Sequence, residues 1–218
     1  MLISFEGIDG SGKSTQIQKL VERLRLEGVE VEVFREPGGT PLAERIREML
    51  LDPGYSIHPF AELLLFSAAR SQLVATRIRP ALERGTVVIC DRFFDSTTAY
   101  QGGGRQLEEP VWLNDFHYRV TGGLVPTRTY FLDISPEDAV SRRMNRTGQA
   151  ADRMESGDRA FYERVMAAYR ELARQEPHRI LILDANQSVD ALHGQIWADL
   201  ARLRVGTRGI SDGSSKTS

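Results

Sequence analysis

Apolar and polar positions along this chain follow two alternating periods. Short runs rich in branched residues, at 2–5, 29–34, 86–90, 129–134 and 180–183, have the length and composition of buried strands. Between the first two, Ile17, Leu20, Val21 and Leu24 recur at i, i+3, i+4 and i+7, the core stripe of a helix, and Gly28 then supplies a stop. Residues 59–83 are apolar on much of a helical circumference, which predicts a long, well-buried helix. Phe161, Val165, Ala168 and Leu172 mark another helix, and Val189, Leu192, Ile196, Leu200 and Leu203 the last. Strands alternating with helices require right-handed crossovers, so the expected class is α/β, a five-stranded parallel sheet covered on both faces.

Two segments depart from this pattern. Residues 142–158 are polar and arginine-rich with glycines at 148 and 157, which predicts a lid-like excursion. Residues 205–218 are rich in Gly, Ser and Thr and read as a disordered tail, leaving 1–204 as a single domain. The 218 residues carry 41% hydrophobic and 27% charged side chains and a net charge of −2, a soluble globular balance without the basic field that nucleic-acid binding needs. No apolar run reaches 18 residues, the N-terminus lacks a basic leader, and the single Cys90 has no internal disulfide partner. The expectation is a cytoplasmic protein with no membrane or nucleic-acid partner.

Gly7-Ile8-Asp9-Gly10-Ser11-Gly12-Lys13-Ser14, followed by Thr15, fits G-x-x-x-x-G-K-[ST] and lies between an expected strand and an expected helix. Glycines let backbone N–H groups curl around a β-phosphate, and the helix N-terminus favours the anion. Lys13 is placed to reach the β- and γ-phosphates of ATP, and the Ser14 hydroxyl to ligate Mg²⁺. A second charged point ends the run Val87-Val88-Ile89-Cys90-Asp91-Arg92. Ligands in a parallel sheet sit beyond the strands' carboxyl ends, so Asp91 is a second Mg²⁺ candidate and Arg92 a cation for developing charge. The four histidines lack metal-ligand spacing.

Further motifs narrow the class. Arg35-Glu36-Pro37-Gly38-Gly39-Thr40, Leu65-Phe66-Ser67-Ala68-Ala69-Arg70, Asp91-Arg92-Phe93-Phe94-Asp95-Ser96-Thr97, Tyr100-Gln101-Gly102-Gly103-Gly104-Arg105 and Asp152-Arg153-Met154-Glu155 occur in order after the P-loop. With Glu6 to Thr15 they closely resemble the thymidylate kinases, over residues 1–204. The resemblance implies a P-loop nucleoside-monophosphate-kinase fold, ATP and dTMP as substrates, and a homodimer. It further implies that Arg35 binds the dTMP phosphate, Asp9 accepts a hydrogen bond from the sugar 3′-hydroxyl, and Phe66 stacks on thymine. Arg70 would then reach the base carbonyl, while Thr97, Tyr100 and Gln101 close the pocket. On the residues alone, Phe66 also reads as core and Arg35 as a strand-end ion pair.

A phosphate acceptor is ionised near neutral pH, so the transfer needs alignment and charge neutralisation more than a general base. The variable P-loop positions contain no arginine. Of the lid arginines at 142, 143, 146 and 153, Arg153 is the first candidate for the transition-state cation and Arg146 the second. Kinases for other monophosphates or for deoxynucleosides share the P-loop, and a GTPase would add N-K-x-D, which is absent from the sequence.

Overall fold

The computed structural model describes residues 1–107, 110–147 and 158–211. Five parallel strands form one sheet: β1 (Leu2–Glu6), β2 (Val31–Arg35), β3 (Val87–Asp91), β4 (Arg128–Asp133) and β5 (Ile180–Asp184). Their order is β2-β3-β1-β4-β5. β1 is central, with Ile3 in register with Ile89 on one side and Arg128 on the other. All five of its residues are buried, whereas the edge strands are only partly covered: Val33 of β2 is 43% and Ile182 of β5 46% exposed. A strand covered on both faces tolerates a continuous apolar run, and an edge strand does not need one.

Each strand extends to a charged last residue, Glu6, Arg35, Asp91, Asp133 and Asp184, where the hydrophobic pattern had stopped one residue short in four cases and overrun Asp133 in β4. Hydrogen bonds at the sheet's carboxyl edge satisfy these groups; Arg170, for one, donates to Asp133 at 2.8 and 3.0 Å. The chain passes from β1 outward to β2, returns through β3, and crosses to β4 on the far side. This reversal beside β1 opens a crevice at the carboxyl ends.

Helix α1 (Lys13–Leu26) buries Ile17, Leu20, Val21 and Leu24 as their spacing predicts. It shares one face of the sheet with α9 (Val189–Ser211), where the Tyr130 hydroxyl donates to the Ile196 carbonyl, whereas α8 (Arg159–Gln175) covers the opposite face with Tyr169 stacked on Phe131. On the other face, Leu73, Val74, Ile78 and Ala81 pack with Leu2, Phe34, Val88 and Phe93. The expected long helix is α3 (Pro59–Leu73), a π-helical stretch (Val74–Ile78) and α4 (Arg79–Glu83) in succession. The wider turn precedes Pro80, whose ring cannot stack against the carbonyl four residues back.

Four helical segments were not read from the pattern: α2 (Pro41–Leu51), α5 (Phe94–Thr97) with the π-helical Thr98–Gly104, α6 (Pro110–Thr121) and α7 (Pro136–Thr147). The expected excursion therefore begins later than residue 142: α7 carries the chain to Thr147, and 148–157, with Arg153, lie outside the described residues. The expected boundary at 204/205 also moves, because α9 continues to Ser211. Extending a formed helix adds one hydrogen bond per residue, and Gly206 and Gly209 each cost only about 1 kcal/mol against that. Residues 212–218 lie outside the described part of the tail.

Candidate active site

The P-loop leaves β1 after Glu6 and turns into α1 at Lys13. Gly10 adopts φ +92°, and a Cβ there would lie 2.3 Å from the Ala139 carbonyl oxygen, so glycine is required both by conformation and by contact with α7. Lys13 folds back into the loop, where its Nζ donates to the carbonyls of Gly7 (2.9 Å) and Ile8 (3.2 Å) and lies 3.6 Å from Asp9. Burial, and then the Arg92 cation, lower its pKa. Ser14 Oγ donates to Asp91 Oδ2 at 3.4 Å, bringing the two Mg²⁺ candidates together from α1 and β3.

Arg92 follows β3 with φ +74°, unusual for a residue with a side chain. Its N–H donates to the Phe5 carbonyl at 3.0 Å. Its guanidinium donates to Asp9 (3.0 Å), Ser96 Oγ (3.2 Å) and the Tyr100 hydroxyl (3.3 Å). Against the cost of desolvation, Arg92 and Lys13 hold the Asp9 carboxyl well below its usual range. Behind them is a group that the sequence did not single out. Glu6 is fully buried and accepts from the Phe93 N–H (2.7 Å), Ser96 Oγ (2.5 Å) and the Tyr169 hydroxyl (3.0 Å). Burial, with Asp95 nearby, pushes its pKa up to about 7.

Beside Asp9 and Arg92 a cavity opens, lined by Phe66 and Arg70 of α3 and by Thr97, Tyr100 and Gln101. Arg70 is 2% exposed; its Nε donates to Glu36 (2.6 Å), Nη1 to Thr97 Oγ1 (2.9 Å) and Nη2 to the Phe93 carbonyl (3.1 Å). Three of its five N–H groups are thus used within the protein, leaving one on each terminal nitrogen for a ligand. Burial raises the Glu36 carboxyl despite Arg70, and its other oxygen, Oε1, has no hydrogen-bond partner. Thr97 serves Arg70, and Tyr100 serves Arg92, so both position cations besides lining the wall. Phe66 lines the cavity while packing on the cluster of Ala43, Ile46, Leu50 and Ala69, so the core and ligand readings both describe it.

Arg35 alone among the substrate candidates does not line this cavity. It is 58% exposed and donates to Glu44 at 3.0 Å, the strand-end ion pair that its position also suggested, and it borders an open groove with Ser14 and Asp91. Arg47 of α2 lines the cavity instead, donating also to the Pro37 carbonyl at 3.0 Å. The sequence reading passed over Arg47 because it did not find α2. A further groove, lined by Gly10, Gly12, Thr15, Arg142, Gln187 and Ser188, lies across the P-loop. Arg146 is carried by α7. Among the described residues, no three His, Cys, Asp or Glu side chains cluster as a metal site, and no helix is long and apolar enough to cross a membrane.

The cations Lys13, Arg92 and Arg70, beside a P-loop and a flat-walled cavity, suit two phosphate-bearing ligands meeting at Asp9. The family model described as thymidylate kinase matches residues 5–196. A thymidylate kinase of Chlorobium chlorochromatii is 50% identical over 94% of this chain and 96% of its own. One from Deinococcus radiodurans is 49% identical over 91% and 95% respectively. Among solved structures, the crystal structure of thymidylate kinase from Ehrlichia chaffeensis superposes with a TM-score of 0.74 at 32% identity, covering 92% of this chain and 98% of that one.

Proposed function

We propose the following division of labour from the premise that the chain belongs to the thymidylate kinase family and transfers the γ-phosphoryl group of ATP to dTMP, giving ADP and dTDP, the precursor of dTTP. ATP lies along the P-loop, with backbone N–H groups of residues 7–15 around the β-phosphate and its base toward the groove of Arg142 and Gln187. dTMP occupies the cavity of Phe66, Arg70 and Gln101, its sugar 3′-hydroxyl on Asp9. The observation that carries this arrangement is the single contact chain Lys13–Asp9–Arg92, which joins the two sites at one point.

Mg²⁺ fits the Ser14–Asp91 pair, two oxygen donors 3.4 Å apart beside the phosphate loop. Mg²⁺ ordinarily takes one or two protein oxygens along with water and phosphate oxygens, so a larger carboxylate cluster is not required. When bound, it neutralises charge on the β- and γ-phosphates. Lys13 then has to exchange its loop carbonyls for phosphate oxygens, a low-cost change because its ammonium stays paired throughout. Arg92, pre-aimed by Asp9, Ser96 and Tyr100, faces the acceptor phosphate with Arg47, and Arg35 reaches it on leaving Glu44. A cation held in advance stabilises the transition state without reorganisation. The P-loop lacks an arginine, so Arg153 of the lid, with Arg146 of α7 second, supplies the remaining cation.

A second copy of the chain covers the exposed Phe60 and Leu64, four apart on α3, making the enzyme a homodimer. It works in the cytoplasm without nucleic-acid or membrane partners. Coupled ADP release with ATP·Mg²⁺ and a panel of nucleoside monophosphates tests the reading. dTMP should give the highest kcat/KM, dUMP a lower measurable one, and preference for dCMP or dGMP would overturn it. Light scattering at micromolar concentration checks the dimer, with a monomer mass as the contrary result.

A further inference from the structure

Glu62, Phe66 and Arg70 recur at intervals of four along α3, so one helical stripe carries all three toward the cavity side. Glu62 is fully buried, and its carboxylate is engaged by Gln101 and Arg105 from the loop side of the pocket. Oε1 accepts from Gln101 Nε2 at 2.9 Å and from Arg105 Nε at 3.2 Å, and Oε2 accepts from Arg105 Nη2 at 3.4 Å. Arg105 is itself seated 4.8 Å from the Phe161 ring centre, which fixes the far side of the ion pair.

A carboxylate paired to a guanidinium accepts hydrogen bonds and donates none. The Gln101 amide must therefore turn its NH₂ toward Glu62. The opposite orientation would set its carbonyl oxygen against a carboxylate oxygen at hydrogen-bond distance with no proton between them. The amide atom left for a ligand in the cavity is then the acceptor, Oε1. Arg70 offers the complement, since it can only donate. We propose that Glu62 is a specificity-determining positioning residue: by locking the Gln101 amide it makes the pocket accept a ring N–H beside a ring carbonyl. Thymine and uracil present that pair at N3 and O4. Cytosine presents a lone pair and an amino group, so both protein groups oppose it.

This proposal rests on dTMP occupying the cavity, and the test separates the two ideas. The measurement is kcat/KM for dTMP, dUMP and dCMP on wild type, Glu62→Gln and Gln101→Met. In Glu62→Gln the new amide can donate, so Gln101 is free to face either way. The dTMP/dCMP ratio should fall by roughly tenfold or more, since an unpaired buried polar group is what enforces it. The dTMP/dUMP ratio should stay within about twofold, because both bases share the edge being read. Loss should appear in KM for dTMP more than in kcat. Gln101→Met leaves the Glu62–Arg105 pair intact and should lower the dTMP/dCMP ratio as much, which keeps the proposal testable should Glu62→Gln not fold. A preserved dTMP/dCMP ratio in Gln101→Met, or in a folded Glu62→Gln, overturns the lock. An equal fall for all three nucleotides also overturns it, marking a general structural role. If wild type itself fails to use dTMP, the occupancy of the cavity is what fails.

Discussion

The two halves of the site are built in opposite ways. The donor half is one continuous stretch, residues 7–15, whose binding atoms are mostly backbone N–H groups exposed by glycines. The acceptor half is drawn from the loop after β2, α2, α3, the residues after β3, and the π-helical Thr98–Gly104, and its polar side chains are held by buried acids. Glu36 holds Arg70, Glu62 holds Gln101, and Glu6 holds Ser96, which in turn holds Arg92. Arg179 clamps Asp95 with bonds of 2.6 and 2.8 Å beneath the same segment. A phosphate offers strong charge that any row of N–H groups can meet. A base edge offers a pattern of donors and acceptors, which is read only by side chains with fixed orientation, and fixing them inside a protein takes buried partners.

The sharpest way to break this contrast is on the donor side. Lys13→Ala should lower kcat by about 10³ or more, because it removes a charge-assisted contact that no neighbour replaces. Its thermal midpoint should move little, since the polar partners of Lys13 are loop carbonyls and the half-exposed Asp9. Scanning calorimetry beside turnover checks both, and a large loss of midpoint would make the lysine structural.

On the acceptor side the same operation should hit stability as well. Arg70→Ala leaves Glu36 buried without its cation, a class of change that costs about 3–5 kcal/mol. Chemical denaturation should show that loss, together with a weakened dTMP reaction and a smaller dTMP/dCMP ratio. Unchanged stability would mean that water reaches Glu36 and that the pair is not a buried support.

The lid sharpens the comparison, since it supplies charge without belonging to either half. Arg153→Ala should lower kcat by roughly 10² with little change in KM for dTMP, the mark of a contact made mainly in the transition state. Arg146→Ala should do less. Wild-type kcat in both would shift the role to Arg92.

The smallest effect concerns Glu6. Its proton is held more tightly in the folded protein, with a pKa near 7 instead of 4.5. That contribution to stability is full below about pH 4.5 and is lost as pH rises through about 7. Glu6→Gln imitates the protonated form, so the decline of its thermal midpoint between pH 5 and 8 should be shallower than wild type's. Parallel profiles would show that Glu6 ionises freely in place.

The amino-acid sequence by itself determined the elements whose information is local. All five strands, α1, α8 and α9 are visible because burial imposes a period on neighbouring residues. The P-loop is visible because its atoms come from consecutive positions, and the seven motif residues Asp9, Phe66, Arg70, Arg92, Thr97, Tyr100 and Gln101 do converge on one cavity. The π-helical stretch before Arg105 carries no stripe among its glycines, and α6 and α7 were not read either; α2 does carry a helix signal that the reading passed over, in the Thr40 cap, Pro41 and the stripe of Ala43, Ile46 and Leu50. Arg47 was missed with α2, and Arg35, which reads both as a phosphate ligand and as a strand-end ion pair, is paired with Glu44. Glu62 carried no signal, and Glu6 and Glu36 entered only as members of longer motifs, because a glutamate is ordinarily read as surface. What puts them inside is a partner 90, 34 and 39 residues away in the chain. Only the tertiary structure brings such pairs together, because the desolvation of each acid is offset by a hydrogen bond that does not exist until the fold has closed.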